Sequence, residues 1–165
     1  MAKHEIERTV QPSVLDRLTD EDPRTRTDQR ISYGESLQNF KRSVQRDLEW
    51  LLNSRRTPDP APESFTELCA SLFHYGIVDV TSLSDSGDSR DRLLKQMEEA
   101  LAIFEPRLAN VRISVVEQER ESHRRELHFV VEGTLRLDPT PEQVAFDTVL
   151  HFSTGEIDVK GTANA

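Results

Sequence analysis

The chain has 165 residues, a length that suits one domain and a core needing no covalent staples. Its net charge of −9 sets it against phosphate backbones, which argues against nucleic acid as a partner. The single cysteine, Cys69, allows neither an intrachain disulfide nor a cysteine zinc cage; in its apolar stretch it reads as a small buried hydrophobe. Hydrophobic residues make up 35% and charged residues 31%, and the apolar ones cluster in periodic stretches. That pattern fits a compact core with long solvated segments better than disorder. The opening MAKHEIERTV has no apolar signal segment, and no run approaches the ~18 apolar residues of a membrane span. The expectation is a cytoplasmic protein without direct membrane insertion.

Residues 1–34 read as a loosely packed arm that orders on a partner, and residues 35–165 as a single domain. Within the arm, Pro12 and Ser13 start a helical turn through Leu15 and Leu18. From 36 to 54 the spacing predicts the clearest helix. Leu37, Phe40, Val44, Leu48, Leu51 and Leu52 fill one face, with Ser32 or Ser36 as the cap and Arg55 and Arg56 against the C-terminal dipole. Trp50, the only tryptophan, falls opposite that stripe, near Asn39, Ser43, Arg46 and Asn53. It is either a second structural contact or an interface anchor.

A stiff Pro-rich spacer covers 57–62. Ser64 then caps a short helix through Glu67, Leu68, Leu72 and Phe73, which Gly76 ends at positive φ. Ile77, Val78 and Val80 read as extended, and 82–89 as a polar loop. Another helix runs from about Asp88 to Phe104, burying Leu93, Leu94, Met97, Ala100, Leu101 and Phe104. Pro106 disfavours helical geometry at Glu105 and stops it. Beyond it the period changes to two. Val111, Ile113 and Val115 alternate with polar residues, then Leu127 to Leu135, then Val144 to Phe152, with Ile157 and Val159 last. The charged stretch 118–125 and the Ser153-Thr154-Gly155 turn suit antiparallel connections. The fold class is α+β: N-terminal helices packed on one face of a three- to four-stranded antiparallel sheet.

Few residues offer chemistry. His4, His74, His123, His128 and His151 show no metal-ligand spacing, although pairing of the second and third strands would put His128 and His151 on one outer face. No glycine-rich phosphate loop, nucleophile elbow or Cys–His pairing occurs, so neither metal nor cofactor is expected. Basic clusters at Arg24, Arg26 and Arg30, at Arg55 and Arg56, and at Arg124 and Arg125 are solvated faces or handholds for an acidic partner. Glu105, between Phe104 and Leu108, is the best candidate for a glycosidase acid. No second carboxylate stands out, and pairing with Arg107 works against a protonated acid. The corner Phe104-Glu105-Pro106-Arg107-Leu108 is the most unusual local feature. Pro106 stiffens it, and Glu105 and Arg107 project to one side. Both satisfy local groups as a structural corner, or both face a partner as a recognition tip.

Three segments resemble the TssE family of type VI secretion baseplate subunits, itself similar to a phage baseplate wedge family long labelled lysozyme-like. The first, residues 43–56, is an arginine-bearing helix ending Leu51-Leu52-Asn53-Ser54-Arg55. The second is Tyr75-Gly76-Ile77-Val78-Asp79, and the third is Glu105-Pro106-Arg107. Ser13 to Leu18 also fits. The resemblance implies a non-enzymatic subunit of a cytoplasmic baseplate docked at the inner membrane, which helps start the contractile sheath. It implies wedge partners TssF, TssG and TssK and sheath partners TssB and TssC. It also implies that Glu105 and Arg107 matter for sheath assembly, so that replacing either with alanine leaves the fold intact but stops sheath formation. On this reading the edge of the sheet, residues 111–160, receives strands from the sheath. Trp50 and the long helix, with Arg46, Arg55 and Arg56, face the wedge subunits. The lysozyme-like label makes a peptidoglycan glycosidase using Glu105 the alternative.

Overall fold

The computed structural model of the protein describes residues 10–19, 24, 31–59, 62, 64–82, 87–116, 126–138 and 140–162. It divides into two compact units, Met1–Val44 and Gln45–Ala165, and the division falls within a helix.

In the first unit, helix α1 (Val14–Leu18) begins with a capping box. Ser13 Oγ accepts the Asp16 N–H at 3.1 Å, and the Asp16 carboxylate accepts the Ser13 N–H at 3.3 Å. The arm is docked where it is described. Helix α2 (Tyr33–Asn53) carries Ser36 and Ser43 two turns apart. Ser36 Oγ donates to the Val10 carbonyl at 3.1 Å, and Ser43 Oγ to the Asp16 carboxylate at 2.6 Å. Both serines and Val10 are buried, while Val14, Leu15 and Leu18 are exposed. The polar side of α1 therefore meets α2, and its apolar side faces out. Ser32 provides the cap of α2, accepting the Glu35 N–H at 3.3 Å while Glu35 accepts the Ser32 N–H at 2.9 Å. Arg26 and Arg30 lie outside the described residues.

The second unit is the α+β domain that the alternation requires. Strands β1 (Leu108–Val115), β2 (Glu126–Leu135), β3 (Glu142–His151) and β4 (Glu156–Thr162) form one antiparallel sheet in sequential order. Register puts Leu127, Phe129, Val131 and Leu135 of β2, Phe146 and Leu150 of β3, and Ile157 and Val159 of β4 on one face, and all are buried. The helices cover that face. Residues 45–53 of α2 lie against the sheet at β4, and α4 (Gly87–Phe104) lies against β1. Leu48, Leu51, Leu52, Leu93, Met97 and Leu101 supply the helical half of the core and are essentially inaccessible. Each such side chain contributes on the order of 1.5–3 kcal/mol of transfer free energy.

A bulge shapes β1. Asn110 has φ 53°, and the register shifts between Ala109 and Arg112. Gly133 of β2 sits opposite. A Cβ there would lie 2.7 Å from Leu108 Cγ, so only glycine allows the bulged strand to close onto β2.

Residues 64–73 depart from the expected single helix. Helix α3 (Thr66–Cys69) has no side-chain cap at Phe65, so Ser64 does not cap it. Ser71 instead starts a separate 3-10 turn, Leu72–His74, by accepting the Phe73 N–H at 3.3 Å. Phe65, Leu68, Leu72 and Phe73 are exposed rather than core, and Cys69 is only half-buried. Val80–Ser82 is a 3-10 turn where extended chain was expected. Residues 83–86 and 117–125, with His123, Arg124 and Arg125, where loops were expected, lie outside the described residues, as does His4.

Candidate functional site

The three sequence segments singled out above meet in the second unit. The end of α2 joins the second segment through main chain. Ile77 N–H donates to the Ser54 carbonyl at 2.9 Å and Arg56 N–H to the Ile77 carbonyl at 2.8 Å, a parallel bridge. Gly76 permits this approach. Its φ is 104°, and a Cβ would collide with the Ser54 carbonyl oxygen. Arg55 then reaches Asp79 at 3.3 Å across an exposed surface. The Asp79 carboxyl is held below its ordinary range, first by the Thr81 hydroxyl and N–H and then by Arg55.

The second segment meets the third through aromatic contact. Tyr75 packs edge-on against Phe104, with centroids 5.3 Å apart and planes at 74°. Burial pushes the Tyr75 phenol above its ordinary range, and the negative charges of Asp47 and Glu105 add to this.

The third segment is the corner. Helix α4 ends at Phe104, as Pro106 requires, and the chain turns into β1. Glu105 is only 4% exposed. Its carboxylate takes Arg107 side-on: Nε donates to Oε1 at 2.6 Å and Nη2 to Oε2, while the Arg107 N–H also reaches Oε1 at 3.3 Å. A turn at Pro106 and Arg107, closed by the Leu108 N–H on the Glu105 carbonyl at 3.1 Å, places them side by side where an extended corner was expected, and the buried Glu105 turns inward.

The same Nη2 donates to Asp47 Oδ2 at 2.6 Å. Asp47 Oδ1 in turn accepts from Arg46 Nε at 3.0 Å and Nη2 at 2.9 Å. Arg46 lies 4.9 Å from the centre of the Trp50 ring. Trp50 itself is 52% exposed, opposite the apolar stripe as its position required. From the Trp50 ring at the surface, Arg46, Asp47, Arg107 and Glu105 thus form one chain of alternating charge to the corner. Burial alone would lower the Arg107 pKa, but hydrogen bonding and charge from Glu105, then from Asp47, together raise it. Asp47 is the member that sequence reasoning missed, because its neighbour Arg46 makes it look like half of a solvated pair.

Glu105, the candidate acid of the alternative glycosidase reading, is committed to an ion pair. Both its oxygens accept from one guanidinium, and that guanidinium also bridges to Asp47. A glycosidase acid needs a proton to give and a second carboxylate across a substrate cleft.

The baseplate wedge protein gp25 family matches residues 38–140. The chain belongs to this family. Its role as a structural component of a phage-like baseplate follows from that membership. The match takes in α2 from residue 38, the Gly76 turn and the Glu105–Arg107 corner, and ends before β3. Comparison with curated proteins gave no match.

Parts of both sheet edges of this wedge-family domain are occupied from within. On β4, Asn53 Nδ2 donates to the Ile157 carbonyl at 2.7 Å and Asn53 Oδ1 accepts the Ile157 N–H at 2.9 Å. Gln45 Nε2 donates to the Val159 carbonyl at 2.8 Å. On β1, Glu98 of α4 accepts the Ile113 N–H at 2.8 Å. Pairing of β2 with β3 puts His128 and His151 on the outer sheet face, as expected. His151 lies 3.3 Å from Glu126 and 3.0 Å from Asp158, and His128 lies 3.4 Å from Glu126. No group fit to hold a metal ion occurs among the described residues. Nor is any described helix long and apolar enough to cross a membrane.

Proposed function

We propose that this wedge-family protein is a TssE-type subunit of a type VI secretion baseplate, which joins TssF, TssG and TssK and helps start the sheath of TssB and TssC. The observation that carries the reading is the convergence of the three TssE-like segments: the first and third share one network, Trp50–Arg46–Asp47–Arg107–Glu105, and the second packs beside both through the Ile77 bridge to Ser54 and the Tyr75–Phe104 contact. Residues scattered over the chain are brought together where none builds a catalytic group. In this reading the Glu105-Pro106-Arg107 corner fixes how α4 hands over to the sheet, and the β1 edge, of which Glu98 takes the Ile113 N–H, meets the sheath. Trp50 and Arg46, with Arg55 and Arg56 at the end of the same helix, face the wedge subunits. The protein then works in the cytoplasm, within a baseplate docked at the inner membrane.

The test is a pull-down of the full chain with each wedge and sheath subunit, paired with imaging of sheath tubes in cells. Capture of the wedge subunits, and loss of tubes with Glu105→Gln, support the reading. Normal sheath dynamics in Glu105→Gln and Arg107→Lys cells remove the corner from the mechanism. Turnover of peptidoglycan by the purified protein, abolished by Glu105→Gln, would replace the structural role with glycosidase chemistry.

A further inference from the structure

An antiparallel sheet of sequential strands leaves the outer side of β4 as a row of backbone donors and acceptors. The residues whose N–H and C=O point outward are identified by what they bond. Ile157 gives both groups to the Asn53 carboxamide, and Val159 gives its carbonyl to Gln45. A primary carboxamide carries the same donor and acceptor as a peptide group. Asn53 therefore meets Ile157 as a residue of a neighbouring strand does in a hydrogen-bonded pair. Gln45 and Asn53 lie two helical turns apart on α2, about 12 Å along its axis at 1.5 Å per residue. Their long side chains converge on residues two apart on β4.

We propose that Asn53 and Gln45 stand in for a fifth strand and hold the outer edge of β4 closed against a second copy of this chain. The edge itself fits that occupant. The Val159 carbonyl bonds outward to Gln45, and alternation from Ile157 puts the Val159 N–H on the same side, so an antiparallel two-fold centred on Val159 makes Val159 its own hydrogen-bonded partner. That register sets Asp158 of each copy opposite Lys160 of the other, in the flanking non-hydrogen-bonded pairs where side chains approach most closely. Asp158 and Lys160 are exposed on the outer sheet face, and Ile157 and Val159 are buried on the inner one. A homotypic β4 pair is thus matched in hydrogen bonding at Val159, where the strand is regular up to its shift in register before Thr162, and in charge at Lys160 and Asp158, which also contacts His151; the two carboxamides are what keep it from forming. This inference is independent of which machine the protein serves.

The experiment is sedimentation velocity on the full chain over a wide concentration range. The Gln45→Ala/Asn53→Ala variant is expected to self-associate at least tenfold more tightly than the wild type. Adding Lys160→Asp to it should abolish the gain through like charges, and adding Asp158→Lys as well should restore it. A second measurement uses milder changes. Amide exchange at Ile157 should stay slow in Asn53→Asp, whose carboxylate still accepts that N–H, and become fast in Asn53→Leu. Association of the double alanine variant no tighter than wild type, or association indifferent to Lys160→Asp, overturns the proposal. So does slow exchange at Ile157 in a folded, monomeric Asn53→Leu protein.

Discussion

Arg107 Nη2 donates to Asp47 Oδ2 at 2.6 Å, joining the entrance of β1 to the middle of α2 across 60 residues of sequence. Both side chains are mostly buried. Asp47→Asn keeps the shape but removes the charge between two arginines. Hydrogen bonds to charged groups contribute about 1.5–3 kcal/mol, so a loss of about 1–3 kcal/mol is expected in urea denaturation. A cycle with Arg107→Lys should show coupling of about 0.5–3 kcal/mol. Simple additivity of the two changes would mean that Asp47 does not hold the corner.

Glu105 and Arg107 are not equivalent, and the geometry changes the expectation that either alanine leaves the fold intact. Arg107→Ala strands a carboxylate that is almost fully buried. Breaking a buried pair in this way costs about 3–5 kcal/mol. For a domain of this size that lowers the melting temperature by on the order of 10 °C. Glu105→Gln leaves Arg107 still bonded to Asp47 and should cost less. Thermal melts followed by circular dichroism distinguish the two, and equal losses would count against Glu105 as the buried partner.

Much of this architecture was legible in the sequence because it repeats. The three-and-four spacing of Leu48, Leu51 and Leu52 and the alternation through Phe129, Val131 and Leu135 each state a buried face many times over. The corner was legible because proline constrains its own φ and the residue before it. What stayed hidden depends on single long-range partners. Asp47 sits beside Arg46 and gives no local sign of Arg107. Asn53 ends a helix, where a polar residue is ordinary, yet its partner Ile157 is 104 residues away. Residues 64–73 failed for the opposite reason. Leu68, Leu72 and Phe73 imitate a helical stripe, but Ser71 bonds the Phe73 N–H and starts a new turn, so the stripe never faces the core.

Gly76 is the hinge on which the first two segments meet. Any side chain there faces the Ser54 carbonyl, with φ at 104°. Backbone strain of this kind costs about 1–3 kcal/mol before any collision is counted. Gly76→Ala should therefore destabilise the protein and raise amide exchange at Ile77 and Arg56, whose N–H groups complete the bridge. A stability loss without faster exchange at those two amides would place the strain elsewhere.

Tyr75 gives the protein an alkaline limit. Its phenol titrates above the ordinary value of 10.0, through burial and then the charges of Asp47 and Glu105. A raised pKa in the folded state means that the folded protein binds the proton more tightly than the unfolded chain. This contribution is fully present below about pH 10 and is lost as pH rises through the folded value. Stability should fall above pH 10, and less steeply in Tyr75→Phe. Absorbance of the phenolate should appear later for Tyr75 than for a free tyrosine. An identical alkaline profile in Tyr75→Phe would assign the loss to other groups.

Trp50 is the position at which folding and the proposed assembly role can be told apart. Its ring is half exposed and stacks with Arg46, a contact worth about 0.5–1 kcal/mol at an exposed site. Trp50→Ala should leave the fold stable to within about 1 kcal/mol, since no core residue loses its packing. An interface anchor of this type costs about 2 kcal/mol or more of binding when truncated, roughly thirtyfold in affinity. The wedge-facing reading therefore requires a variant that folds as the wild type does but is captured far less well by the wedge subunits. Arg46→Ala should show a smaller binding loss together with a stability loss, because it removes both the stack on Trp50 and a donor to Asp47. Equal capture of the wild type and Trp50→Ala would move the wedge contact off this face of α2.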